Sequence, residues 1–224
     1  FIFGSVITCA LALAIAAPFS LATAIFMTEI SPELGKRFVQ PAVEIFVGIP
    51  SVVYGWIGLT ILVPLIKNIF NLRFGFSVLA AGIVLAVMIF PTITGLAADA
   101  LRSIPKSYRA ASYGLGATRW QTIAKVVVPA AVTGLMTAVI LGLARAFGEA
   151  LAVAMVIGKM RAFPTSLLSP TNNLTAAIAA DMGGAMEGSE YNIALWTMAL
   201  LLFIISLACI FAIHFLTAKG GKQA

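Results

Sequence analysis

Five stretches of this chain stay apolar for about twenty residues or more: 5–27, 43–65, 77–97, 130–157 and 192–216. A helix needs about 20 such residues to cross a hydrocarbon layer roughly 30 Å thick, so each stretch reads as a membrane span. The expected fold is all-α, a polytopic membrane helix bundle of about five transmembrane helices. Composition points the same way. Hydrophobic residues make up 61% of the 224 and charged residues only 10%, with a mean hydropathy of +1.07. Soluble domains carry about 25% charged residues, so a soluble domain or soluble enzyme is excluded.

Pro18, Pro50 and Pro91 stand well inside three of the runs. Membrane helices accept proline where neighbouring groups satisfy the freed backbone, so bent helices are expected. Gly48, Pro50 and Gly55 lie close together and make the second run the one expected to break. Cys9 and Cys209 sit in apolar runs and read as small core residues. His214, near the end of the last run, has no other histidine to join it as a metal ligand.

The net charge of +6 does not mark a nucleic-acid binder, because the basic residues lie in short loops without any accompanying motif. Nine of the 14 basic residues fall in 28–42, 98–129 and 217–224, four fall in the alternate loops, and Arg145 lies inside a run. The positive-inside rule then places the first set of loops, and the C-terminus, in the cytoplasm. Phe1 falls outside the membrane, and a further helix is expected upstream of it. The outer segment 159–190 is long and polar, either a solvated connector or a partner surface.

The loop 98–129 mixes polar and apolar residues. Tyr108, Ala111, Leu115, Trp120, Ile123 and Val127 recur near helical spacing, predicting two or three short amphipathic helices across the membrane face. Pattern alone leaves an interfacial anchor and a docking surface equally open. In the fourth run, Arg145 falls ~22 Å along a helix expected to be ~42 Å long. Its i, i+4 spacing to Glu149 would place both on one face. An unpaired charge near mid-membrane costs about 2.5–3.5 kcal/mol. The two residues are either a structural ion pair or part of a transport pathway, and the pathway reading is favoured because intramembrane charges usually face one.

The segment "RAASYGLGATRWQTIAKVVVP" resembles the cytoplasmic EAA loop of ABC-importer permeases. Aligned on Gly116 and Pro129, the triplet falls on Ala110, Ala111 and Ser112, so alanine stands where that pattern has glutamate. "AIFMTEIS", "GIPSVVYGWIGL" and "ILGLARAFGEALAVAMVIG" resemble the phosphate-specific importer permeases, and the last is more like the PstC-type than the PstA-type subunit. This resemblance covers residues 1–216. It implies a type I permease fold, here a single transmembrane domain over 1–224, in a bacterial or archaeal plasma membrane. It further implies a coupling loop at 98–129 that meets the ATPase through Ala110, Ala111, Ser112, Gly114, Gly116, Ala117, Thr118, Arg119 and Trp120. Arg145 and Glu149 match the family's translocation residues.

The partners implied by the resemblance are a second, PstA-type permease subunit, PstB-type ATPase subunits and an extracytoplasmic phosphate-binding protein, besides membrane lipid. ATP and Mg would bind the ATPase subunits, leaving no cofactor in this chain, which has no GxxxxGK[ST] pattern of its own. The expected function is permeation of inorganic phosphate. A permease for another oxyanion is the nearest alternative. An ion-coupled secondary transporter would usually show internal repeats and more intramembrane ionisable groups, and a membrane enzyme would need a catalytic cluster that one histidine and scattered acids do not supply.

Overall fold

The computed structural model describes residues 1–220. Among the described residues the regular secondary structure is helical apart from one parallel bridge between Gly158 and Thr171. In chain order the helices are α1 (Ile2–Ile30), α2 (32–48), α3 (Ser51–Ile69), α4 (Val78–Arg102), α5 (Lys106–Gly114), α6 (Arg119–Ala130), α7 (Val132–Gly148), α8 (Leu151–Val156), α9 (Leu174–Asp181) and α10 (Glu190–Gly220). By length and apolarity α1, α3, α4 and α10 each qualify as spans. The pair α6 and α7, bent by 68° where they meet, makes up to 5. This is the all-helical fold expected from the apolar runs.

Two runs divide differently from their hydropathy. In the second, residues 43–48 belong to α2 and the span starts at Ser51. Pro50 lacks an amide hydrogen and sits at φ −59°, ψ 140°, an extended conformation that ends one helix and opens the next. In the fourth, α7 ends at Gly148 and α8 begins at Leu151, so the expected continuous helix 130–157 is replaced by a bend at Ala131 and a break at Glu149–Ala150. By contrast, α1 and α4 continue through Pro18 and Pro91.

The helices gather into two compact units. The first comprises Phe1–Ala16, Ile49–Ile89 and Leu143–Ile210. Its core is the start of α4 (Val78, Ala81, Leu85), all of α8's inner face (Ala152, Val153, Val156) and Leu174 of α9, each 1% exposed or less. The segment 159–190 is exposed over much of its length but packs into this unit at 171–177. Residues 171–174 are buried, the Leu174 amide donates to Ser5 Oγ at 2.9 Å, and Val78 and Leu79 donate to the carbonyls of Ser169 and Leu167 at 3.2 and 2.8 Å. Helix N-termini carry four amides without intrahelical partners, and this segment satisfies two of them at α4.

Gly55 of α3 explains how α8 is held. A Cβ there would stand 2.8 Å from Ala152 Cα and from Met155 Sδ, so the two helices meet backbone to backbone. Gly55→Ala is expected to lower stability by about 1–3 kcal/mol, as overpacking usually does. The thermal midpoint of the purified protein in detergent should fall, and an unchanged midpoint would contradict the close packing.

Among the described residues the second unit comprises Ala17–Gly48, Phe90–Gly142 and 211–220. Within it the fully buried Ser20 of α1 donates to the Phe90 carbonyl of α4 at 3.1 Å, and Thr94 bonds back to the same carbonyl at 2.8 Å. Such hydroxyl bonds join helices where lipid offers no competing water.

Candidate functional site

Arg145 and Glu149 lie in the first unit, both partly buried, at the break between α7 and α8. Arg145 occupies the last turn of α7 rather than the middle of a long helix. A cation there faces the partial negative charge of the helix C-terminus, a favourable placement. Glu149 lies one residue beyond the helix end, so helical i, i+4 geometry does not relate the two side chains. Its backbone carbonyl accepts from Thr175 Oγ1 at 2.9 Å, and its carboxylate accepts from the Ala152 amide at 3.4 Å, across the start of α8. The break is thus fastened on one side to α9 and on the other to α8. Gly142 meets the side chain of Ile93, and Gly148 faces open space.

The loop 98–129 lies in the second unit. It forms one separate helix, α5, while its second helical stretch, α6, runs on into the bent span. The turn between them depends on Gly116, whose φ of +81° is a left-handed value that favours glycine. Thr118 then starts α6 with a reciprocal cap: its hydroxyl accepts from the Gln121 amide, and the Gln121 side chain accepts from the Thr118 amide. This turn splits the apolar positions that spacing had placed together. Ile123 and Val127 are buried, while Leu115 is 90% exposed and Trp120 68%. Ala110, Ala111, Gly114, Gly116 and Thr118 are also exposed, and Ala117 is half-buried. An apolar cavity of about 520 Å³ opens beside Tyr108, Ala111 and Leu115. Two of the residues expected to meet a partner also bond within the chain. Ser112 is buried and its hydroxyl pairs with Thr122 Oγ1 at 2.9 Å, tying α5 to α6. Arg119 donates to the carbonyls of Glu29 and Ile30 at the end of α1.

Sequence reasoning missed the contact that anchors this loop. Arg109 forms a bidentate pair with Glu29, at 2.5 Å from Nη2 and 3.2 Å from Nε, and also donates to the carbonyls of Ile104 and Leu101 at 2.7 and 3.0 Å. The side chains are 20% and 8% exposed. The hydrogen bond to Glu29 raises the Arg109 pKa above its ordinary value, outweighing burial, so its charge is permanent. The partners are 80 residues apart in the chain, beyond the reach of any periodic pattern. The only sequence signal was an acid at the very end of an apolar run.

Apolar helices long enough to span, joined by a helical loop with an exposed apolar lip, mark a membrane protein. The chain matches the family of binding-protein-dependent transport system inner membrane components over residues 16–219, and it belongs to that family. It is 55% identical to the probable ABC transporter permease protein YqgH of Bacillus subtilis, over 98% of this chain and 71% of the relative. To the phosphate transport system permease protein PstC of Haemophilus influenzae it is 39% identical, over 92% of this chain and 70% of that one. Among solved structures, an inward-facing MetNI methionine ABC transporter matches with a TM-score of 0.69 at 22% identity, covering 97% of this chain and 91% of that one. That likeness is one of fold. The protein is therefore a multi-pass inner-membrane permease of a binding-protein-dependent ABC transporter, a non-catalytic component without a cofactor of its own, which works with an ATPase and a binding protein.

Proposed function

We propose that this permease carries inorganic phosphate inward, beside a second, PstA-type permease subunit, above PstB-type ATPase subunits, and supplied by an external phosphate-binding protein. The observation that carries this reading is one arginine and one glutamate close in sequence at a helix break, in a chain 39% identical to a phosphate permease. The Arg145 guanidinium presents a planar, permanently charged fork suited to phosphate oxygens. Glu149 offers an acceptor for the phosphate's own hydroxyl. Sulfate has no such proton at neutral pH, so the same two side chains attract an oxyanion and select by protonation. In proteoliposomes holding the whole transporter and its binding protein, labelled phosphate should accumulate with ATP, and excess sulfate should compete poorly. Equal competition by sulfate would reject the assignment.

In this reading residues 1–224 act as one permease domain in a bacterial or archaeal plasma membrane, the C-terminus is cytoplasmic, and the segment 98–129 couples to the ATPase. Ala111, Leu115 and Trp120 are the residues that would enter the ATPase, since they are exposed on one loop, whereas Ser112 and Arg119 hold that loop together. Cysteine placed at Leu115 should crosslink to the ATPase subunit, and cysteine at Ser112 should not. Reaction at Leu115 with lipid-directed probes alone would reject docking.

A further inference from the structure

A second cavity, of about 550 Å³, opens where α1 and α4 end and α5 begins, and it is lined by an excess of cations. Lys36, Arg102, Lys106 and Arg109 contribute to its wall against one lining carboxylate, Glu29. Arg109 is neutralised by that carboxylate, and Arg102 is engaged by Gln40 and by the exposed Asp99. Among the described residues no carboxylate pairs with Lys36 or Lys106, so two full positive charges remain. Met27 and Tyr113 supply apolar surface, and Ala110 adds a methyl group where an acid would have balanced the charge.

Position narrows the ligand. The cavity sits at the ends of two spans, and Pro32 and Ile104 join Met27 and Tyr113 in its apolar wall. A free anion would need only the cations. A site that joins cations to apolar wall at a membrane boundary fits an amphiphile, and basic pockets at the cytoplasmic ends of spans attract anionic headgroups. We propose that this cavity binds the phosphoryl headgroup of an anionic phospholipid, with Lys36 and Lys106 as its principal contacts. The inference concerns a site separate from Arg145 and does not depend on the transported substrate.

Native mass spectrometry of the purified transporter, released from nanodiscs of mixed phosphatidylglycerol and phosphatidylcholine, tests it. Phosphatidylglycerol should be retained in preference. The double variant Lys36→Gln, Lys106→Gln should reduce that preference on the order of tenfold, given the typical contribution of each basic residue near an anionic surface. Ala110→Glu should also reduce it, and Lys36→Arg with Lys106→Arg should keep it. An unchanged preference in the glutamine double variant, with the transporter assembled, would overturn the site. So would loss of the preference in the arginine variant. Binding of inorganic phosphate in phosphatidylcholine nanodiscs, lost in the glutamine variant and unaccompanied by any preference for phosphatidylglycerol, would overturn the lipid assignment.

Discussion

Arg145→Lys should lower phosphate uptake about 10- to 100-fold while the transporter still assembles. A hydrogen bond to a charged group contributes about 1.5–3 kcal/mol, and lysine keeps the charge but loses the planar fork. The position in the last turn of α7 makes this substitution a clean one, because the helix C-terminus favours either cation. Glu149→Gln should weaken the preference for phosphate over sulfate rather than abolish uptake. Removing the side chain altogether is less informative, since the Glu149 carboxylate also accepts from the Ala152 amide, and losing such a cap typically costs about 0.5–2 kcal/mol. Uptake by Arg145→Lys at the wild-type rate, at equal protein level, would remove Arg145 from the pathway.

The second large effect concerns assembly. Arg109→Met strands the Glu29 carboxylate, whose side chain is only 8% exposed. Breaking a buried pair from one side typically costs about 3–5 kcal/mol, a large part of a protein's net stability. Membrane accumulation of the protein should fall sharply. The double variant Glu29→Gln, Arg109→Met removes both charges and should recover much of the loss. Asp99→Asn is the contrast, because Asp99 is 73% exposed in its pair with Arg102, and exposed pairs contribute little. Wild-type levels of Arg109→Met would mean that the clamp at the end of α1 does not hold the loop.

The spans were legible in the sequence because lipid imposes a length and a polarity that hydropathy measures directly. The break at Pro50 was legible too, since proline acts through its own backbone. The break at Glu149–Ala150 was not foreseen, as no proline marks it. Gly148 followed by Glu149 was the available sign, a glycine ending one helix and an acid opening the next. In the loop, spacing found the apolar residues but not their division into exposed Leu115 and Trp120 and buried Ile123 and Val127. A positive φ at Gly116 turns the chain between them, and periodicity assumes a helix that does not turn. Glu29 with Arg109 was out of reach because a tertiary ion pair leaves no local pattern.

The segment that caps α4 also sets an order of events during synthesis. Ribosomes add about 5–20 residues per second. The amides of Val78 and Leu79 therefore wait about 4 to 20 s for the carbonyls of Ser169 and Leu167 to emerge. Ser5 and its partner Leu174 are 169 residues apart, so the first helix waits longer still. Spans can enter the membrane one after another, but the first unit closes only when the segment after α8 arrives. One amide at the start of α4 needs no later segment, because the Ser77 hydroxyl, three residues away, accepts from the Ala80 amide at 3.1 Å.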